Sequence, residues 1–282
     1  MDGKVLQHYR MFLYEETDLS EFLYHPFRIE GGFVLLCTQG KAVISSGIRQ
    51  YNIMKNTSMM FLSGMTFYLL SASEDVEVRM FTFSKKLYDE IVMELPSSFT
   101  QFMNETPVYE HPCDSFSLKC VYAYMDMAKI LHEETVRKYE TTLQRNFLQS
   151  YMLCILGNIQ PYLNTITSKY TKRQKLYLRF ISLVHAYCAQ HHDITFYASQ
   201  LCISPRYLYI LTYECAPFLS PKQLIDKQLI LEIKVLLFSS DLTVTEIAQK
   251  LNFPDQSYLC RYFKRHTDVS PTEYRNQEKI VG

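Results

Sequence analysis

The stretch from Thr243 to Arg275 constrains the fold more than any other part of the chain, because it specifies two short helices separated by a break. Thr243 is placed to cap the first helix, and Glu246 follows three residues later, as a capping box requires. Pro254 cannot continue a helix, so the first helix ends before it. The apolar residues that recur at helical spacing are Ile247, Ala248, Leu251, Tyr258, Leu259, Tyr262 and Phe263.

The second helix of this stretch, predicted over about residues 255–266, keeps its polar side chains away from the apolar stripe. Those polar residues are Gln256, Ser257, Arg261, Lys264 and Arg265. A small helix packed against a basic, amide-bearing second helix is the layout of a helix-turn-helix, in which the second helix enters the major groove of DNA.

A longer set of residues in the same stretch has a distinctive order. The set consists of Ile247-Ala248, Phe253, Asp255, Ser257-Tyr258, Arg261-Tyr262-Phe263-Lys264, Ser270-Pro271 and Tyr274-Arg275. In type and spacing it resembles the second helix-turn-helix of AraC-type transcription regulators. The family commonly has glycine at the positions of Asn252 and Asp268, and Asn and Asp tolerate a left-handed backbone better than most residues.

The resemblance implies a sequence-specific DNA-binding transcription regulator. In this family, an all-α domain of two helix-turn-helix units follows an amino-terminal cupin-like barrel, which often binds a small effector. The expected partners are therefore double-stranded promoter DNA, a small-molecule effector in the barrel, a second copy of the chain and RNA polymerase.

An earlier segment repeats the helix-turn-helix pattern about 50 residues upstream. Asp193 takes the capping place of Thr243. The apolar pairs are Ala198 with Ala248, Leu201 with Leu251, Ile203 with Phe253 and, after a one-residue difference in the turn, Leu208 with Leu259. The offset returns at Ser220-Pro221 and Ser270-Pro271. This internal duplication predicts two helix-turn-helix units in tandem.

The segment between the two copies, Pro221 to Phe238, predicts a central helix with Leu224, Ile225, Leu229, Ile233 and Leu237 on one side. A helix of about 18 residues spans roughly 27 Å at ~1.5 Å per residue. Successive major-groove faces on one side of B-DNA lie ~34 Å apart. The length of the central helix plus half the width of each recognition helix is therefore close to this separation. Two recognition helices joined in this way suit adjacent major-groove segments.

The second recognition helix carries the side chains best suited to reading bases. Arg261 suits a bidentate contact to guanine, and Gln256 suits one to adenine. Ser257 lies one turn before Arg261, so the two share a face, and the family resemblance places all three toward the bases. Lys264 and Arg265 suit phosphates, which position a helix without reading sequence. The alternative for Arg261 is a solvated surface arginine.

The first recognition helix, predicted over about residues 205–214, is less basic. Ser204 suits its cap and Pro205 its first position. Arg206 is its only basic residue, and Tyr207 and Tyr209 are candidates for phosphate or apolar contacts.

This first helix also departs from the family pattern at three positions. The family often has arginine, phenylalanine and lysine where this chain has Ile210, Thr212 and Tyr213. We therefore expect a weaker or differently tuned reader, which contacts the DNA backbone or a partner.

The amino-terminal part of the chain, residues 1 to about 95, predicts mainly strands. Short apolar runs begin near Phe33, Lys41, Ser58, Thr66 and Val76, with turn residues between them. This rhythm favours a small sandwich or barrel. Its many aromatic side chains are expected mainly in the core, and a ring-lined ligand pocket is the alternative.

Helices follow the predicted barrel. A short apolar stripe ends at Pro96, and residues 118–131 and 143–159 predict a longer helical pair. The second of these helices has no charge beyond Arg145, which favours a self-association surface; the alternative is packing on its own barrel.

Enzyme chemistry is not predicted. His8, His25 and His111 are isolated, so no convergent metal ligands are indicated. The eight cysteines include no Cys-x-x-Cys pair, and neither a serine nucleophile elbow nor a phosphate-cradling glycine loop is present. We expect no catalytic residues, metal or cofactor. A barrel enzyme with a DNA-binding tail and a protein-interaction module remain as alternatives.

The distribution of charge fits a basic nucleic-acid-binding domain behind an acidic accessory domain, and the strand and helix patterns together predict an α+β chain. Residues 1–170 have 15 basic and 19 acidic side chains, and residues 171–282 have 14 and 10. We predict a cupin-like barrel with dimerisation helices over 1–160, a linker over 161–174 and a double helix-turn-helix domain over 175–282. No signal peptide or membrane span is indicated, so a cytoplasmic location is expected.

Overall fold

The computed structural model describes residues 12–23, 26–28, 31–62, 66–92, 95–96, 99, 102–103, 105–133, 139–169 and 171–281. An antiparallel β region precedes a helical region, and the predicted α+β class is confirmed. Two histidines considered as metal ligands, His8 and His25, lie outside the described residues.

The β region consists of two antiparallel sheets. Its strands are β1 Phe12–Thr17, β2 Phe27–Arg28, β3 Gly32–Gln39, β4 Lys41–Ser45, β5 Gln50–Met54, β6 Thr57–Phe61, β7 Thr66–Ala72, β8 Glu77–Phe83 and β9 Val108–Glu110. One sheet has the order β1-β8-β3-β6-β9, and the other has the order β2-β7-β4-β5.

Strand β3 is apolar from Phe33 to Cys37 because both of its faces are covered there. Phe33 and Leu35 point into the core between the two sheets. Val34 and Leu36 point to the opposite side, where helices pack. Side chains alternate between the faces of a strand, so a continuous apolar run is what burial on both faces requires.

Aromatic rings fill the space between the sheets. The ring centroids of Phe61 and Phe67 are 4.4 Å apart, and Phe33 lies 5.6 Å from Phe61 and 5.2 Å from Phe67. A void of about 10 Å³ lies between Phe22, Leu35 and their neighbours. That volume is at the lower limit for a single water molecule. These aromatic residues therefore belong to the core rather than lining an open pocket between the sheets.

The helices of this region include α1 Lys85–Val92, which follows β8, and α2 Phe116–Glu133 and α3 Glu140–Lys169, which follow β9. The predicted helical pair is present as α2 and α3, which pack against the five-stranded sheet. Phe147 of α3 contacts Phe12 and Phe81 with centroids 5.3 and 5.4 Å away.

The segment predicted as a linker, residues 161–174, is largely helical. Helix α3 continues to Lys169, and the next helix begins at Lys172. Threonine, serine and asparagine each cost a helix only a few tenths of a kcal/mol, roughly. A helix that has already formed extends without a new nucleation cost.

The remaining helices are α4 Lys172–Tyr187, α5 Ile194–Gln200, α6 Pro205–Cys215, α7 Pro221–Ser239, α8 Val244–Lys250, α9 Gln256–Thr267 and α10 Pro271–Val281. The predicted central helix is confirmed as α7, which contributes to two cores. Leu224 and Ile225 lie in the core around α5 and α6, whereas Leu229 and Ile233 lie in the core around α8 and α9. One helix thus joins the two repeated units. Among the helices described, none combines the length and apolar character needed to cross a bilayer.

His111 gives the amino-terminal region a predicted sensitivity to acid. Its Nε2 lies 2.8 Å from Ser58 Oγ and its Nδ1 lies 3.0 Å from Ser117 Oγ, and burial lowers its pKa to about 4. In the unfolded chain a histidine has a pKa of about 6.5. Between that pH and about 4, the unfolded chain binds a proton at His111 and the folded chain does not. The free energy of unfolding should therefore fall by about 1–3 kcal/mol as pH drops from about 6.5 to 4.

Urea unfolding of the wild type and of His111→Gln at pH 7 and pH 4.5 measures this loss. Glutamine does not titrate and keeps a donor and an acceptor for the serines. We expect a smaller loss in the variant. Equal losses in the two proteins would contradict the assignment.

Candidate nucleic-acid interface

The unit α8–turn–α9 has the local geometry that its sequence predicts. Thr243 Oγ1 accepts from the backbone N–H of Glu246 at 3.2 Å, and Glu246 Oε2 accepts from the backbone N–H of Thr243 at 2.7 Å. Asn252 adopts φ 55° in the turn, and Asp268 adopts φ 64° after α9. Both positions where the family commonly has glycine are therefore left-handed, as expected.

Helix α9 separates a buried face from an exposed polar face. Asp255 Oδ1 caps its start by accepting from the backbone N–H of Tyr258 at 2.7 Å. Leu259, Tyr262 and Phe263 are buried. All five sequence-predicted contact residues of this helix are exposed: Gln256, Ser257, Arg261, Lys264 and Arg265. The spacing of Ser257, Arg261 and Lys264 places them along one face.

Two of these side chains have partners within the domain. Gln256 Oε1 accepts from Thr245 Oγ1 at 2.8 Å, which ties the start of α9 to α8. The Arg265 guanidinium lies 5.6 Å from the centroid of the Tyr262 ring. Arg265 therefore leans over the Tyr262 ring of its own helix.

A buried carboxylate that sequence reasoning missed holds α9 against α7. Asp226 Oδ1 accepts from Tyr262 Oη at 2.7 Å, and Lys222 Nζ lies 2.8 Å from the same oxygen. Burial and the neighbouring Asp226 raise the pKa of Tyr262, so its hydroxyl remains a donor. The sequence signal for this contact is the position of Asp226, an acidic residue beside Leu224 and Ile225 in the apolar stripe. A charge buried there requires hydrogen-bond or ionic partners.

The earlier unit, α5–turn–α6, repeats the same backbone pattern. The N–H of Ile203 donates to the carbonyl of Ala198 at 3.0 Å, as Phe253 does to Ala248 at 2.8 Å. Cys202 is left-handed with φ 56°, at the position that matches Asn252. The duplication inferred from the sequence is therefore also present in the structure.

The four contact candidates around α6 have different surroundings. Ser204 caps the helix, its Oγ accepting from the backbone N–H of Tyr207 at 3.1 Å. Tyr207 is half-buried, whereas Arg206 and Tyr209 are exposed. Glu214 at the other end pairs with Arg173 of α4 at 2.6 Å. The α6 face therefore presents one cation in place of the basic cluster of α9.

Metal chemistry has no support in the described part of the chain, where no group of three or more histidine, cysteine or acidic side chains converges. His111, the described member of the early histidines, bonds to two serine hydroxyls instead.

Comparison with known proteins places the similarity mainly in the carboxyl-terminal region. Residues 197–277 match a family model described as a helix-turn-helix domain. The chain is 35% identical over 80 residues to the uncharacterized HTH-type transcriptional regulator YijO of Escherichia coli (strain K12), which covers 28% of each chain. It is 32% identical over 85 residues to the arabinose operon regulatory protein of Salmonella typhimurium, which covers 30% of each chain. The chain thus spans under a third of the length of these curated relatives.

The fold of the whole chain is similar to that of a solved regulator. Wild-type ToxT from Vibrio cholerae strain SCE256, in a structure with unsaturated fatty acid bound, is 17% identical, with a TM-score of 0.50 and coverage of 94% of both chains. This likeness supports the architecture of an amino-terminal antiparallel β region followed by helices. The resemblance inferred from the sequence is confirmed, over the carboxyl-terminal region, by the matches to the helix-turn-helix family model and to the two regulators.

Proposed function

We propose that this chain, whose carboxyl-terminal domain belongs to the AraC-type helix-turn-helix family, regulates transcription by binding a specific DNA sequence. The observation that carries the proposal is the exposed face of α9. There, Ser257, Arg261 and Lys264 follow one another at helical spacing, opposite a face buried in the domain. A polar, basic helix face of this kind suits the major groove.

Each candidate residue has a proposed role. Arg261 reads guanine with its two-pronged guanidinium, Gln256 reads adenine, and Ser257 contacts an adjacent base edge. Lys264 and Arg265 bind phosphates. Around α6, the residues proposed to position the helix on the DNA backbone are Ser204, Arg206, Tyr207 and Tyr209.

Helix α7 supports the proposal that both units bind one continuous site. Its 19 residues extend from Pro221 to Ser239. That length corresponds to roughly 28 Å at ~1.5 Å per residue. With the half-widths of α6 and α9 added, two readers separated in this way suit major-groove segments ~34 Å apart.

A second copy of the chain is the proposed partner of the α2–α3 pair. Exposed apolar side chains on these two helices include Phe116, Met127, Ile130, Leu143 and Leu153. Apolar side chains concentrated on neighbouring helices favour a protein–protein contact. A dimer would join two DNA sites of the kind described above.

A small effector is proposed to bind between the domains rather than between the two sheets. A cavity of about 580 Å³ lies between Gly47 and Tyr68 of the β region and Lys227, Ile230 and Lys234 of α7. Beside it, Glu232 of α7 accepts from Arg28 Nη1 at 2.6 Å and from Thr66 Oγ1 at 2.8 Å. A ligand at this boundary would act directly on the helix that spaces the two readers.

Selection of bound sequences from a random DNA pool at physiological salt tests the proposed function. We expect enrichment of a site with two elements about one helical turn apart. Recovery of no preferred sequence would contradict sequence-specific binding and would favour the protein-interaction alternative.

Replacing Lys264 with alanine should weaken binding to selected and random DNA alike. A phosphate contact contributes through counterion release, so the slope of log affinity against log salt should fall by about one. Fluorescence anisotropy over a range of salt concentrations measures the slope. Lys119→Ala, at an exposed position on α2, is the matched control and should leave the slope unchanged. A loss confined to the selected sequence would assign Lys264 to base reading instead.

A further inference from the structure

The exposed face of α6 is apolar where a DNA-reading helix would ordinarily be polar. Tyr209 and Ile210 are each 46% exposed, and Tyr213 is 67% exposed. Arg206, Ile210 and Tyr213 follow one another at intervals of about one helical turn, so they share one face. This face lies opposite Leu208 and Leu211, which are buried.

The duplication shows what this face corresponds to in the second unit. Leu208 and Leu259 occupy matching places, and both have no exposed surface. Counting from this pair, Ile210 matches Arg261, Tyr213 matches Lys264 and Arg206 matches Ser257. The apolar residues of α6 therefore stand at the positions proposed to face the DNA in α9.

Among the base edges of the major groove, the apolar group is the C5 methyl of thymine. A branched aliphatic chain such as Ile210 offers no hydrogen bond to guanine or adenine, but it packs against that methyl group. We infer that α6 reads thymine through Ile210, with Tyr213 beside it, while α9 reads through hydrogen bonds. The inference rests on the proposed function and specifies the base class that the first unit recognises.

The charges around this face suit a polyanion. Arg206 is exposed at the start of α6, at the edge of the apolar face. Glu214, which matches Arg265 of the second unit, is held by Arg173 at 2.6 Å. Its negative charge is therefore compensated before any phosphate approaches. A basic residue at one end and a paired acid at the other favour DNA over an apolar protein partner.

Replacing thymine with uracil, which lacks only the C5 methyl, tests the inference. In the sequence selected by the wild-type chain, each thymine is replaced singly, and the affinity of the full-length protein is measured. Burial of one methyl group corresponds to about a fourfold change in affinity. We expect about that loss at one or two positions in one element of the site. In Ile210→Ala, thymine and uracil at those positions should bind equally.

The matched control is Met54→Ala, at a site on β5 that is 47% exposed and has no proposed contact. It should retain the wild-type preference for thymine over uracil, whatever it does to overall affinity. If the wild type selects a sequence but binds every uracil duplex as tightly, the inference about thymine is wrong and the proposed function stands. If no sequence is selected, the proposed function fails and the inference fails with it. A preference for thymine that persists in Ile210→Ala would also overturn the inference.

Discussion

Replacing Arg261 with alanine is expected to weaken binding to the selected DNA by about 1–3 kcal/mol. The arginine lies exposed in the middle of α9, one turn after Ser257, and its guanidinium can bond two acceptors of a guanine at once. Alanine removes both bonds and leaves the helix intact. The preference should also relax at one base pair and remain at the others.

Two further variants sharpen this prediction. Arg261→Lys keeps the charge but loses the planar fork, so it should restore non-specific affinity without restoring the preference for guanine. Arg179→Ala, at an exposed position on α4, is the matched control and should bind as the wild type does. Anisotropy titrations against the selected duplex and its single-base variants provide the measurement. An unchanged specific affinity in Arg261→Ala would make this arginine a solvated surface residue.

Replacing Asp226 with alanine is expected to lower the free energy of unfolding by about 2–4 kcal/mol. The carboxylate is 7% exposed and accepts from Tyr262 Oη, and it also pairs with Lys222. Without it, the buried Tyr262 hydroxyl on α9 loses its acceptor, and the Lys222 ammonium on α7 loses its carboxylate but keeps the His192 carbonyl at 3.1 Å. Because Tyr262 lies between the base-facing positions and the core, α9 should also lose its fixed position on α7 and bind DNA less tightly.

Urea unfolding and DNA titration of the same preparations measure the two effects. Tyr262→Phe removes only the hydrogen bond and should cost about 1–2 kcal/mol. Asp89→Ala is the control, because Asp89 pairs with Lys85 at 3.0 Å on an exposed helix face. Such a surface pair contributes less than about 1 kcal/mol. The account would be contradicted if Asp226→Ala were no more destabilising than Asp89→Ala.

Features governed by neighbouring residues could be predicted from the sequence. The capping box at Thr243, the left-handed Asn252 and Asp268 and the polar face of α9 depend on residues within a few positions of each other. The internal duplication predicts the same local structure in the first unit, where Cys202 adopts the left-handed conformation of Asn252. In each case, the residue types at the helix cap and in the turn restrict the local backbone to few conformations.

Features that depend on distant residues could not be predicted. The Tyr262–Asp226 bond joins residues 36 positions apart, and the Arg28–Glu232 bond joins residues 204 positions apart. Nothing in the spacing of the sequence pairs such partners, because Tyr262 meets Asp226 only when α9 packs on α7, and Arg28 meets Glu232 only when the β region packs on α7. The continuation of α3 to Lys169 has a different cause: Pro161 and the threonine and serine residues after it favour the end of a helix locally, and the structure nevertheless extends the helix through them.

The central claim is that one chain reads two neighbouring groove segments at a separation fixed by α7. Inserting base pairs between the two elements of a single selected site tests it most directly. We expect an insertion of about 5 base pairs, half a helical turn, to lower the affinity to that of one element. An insertion of about 10 base pairs should do the same, because it restores the face of the DNA but α7 cannot lengthen. Recovery of full affinity at the full-turn insertion would contradict the account, because the two readers would then be joined flexibly or belong to different subunits.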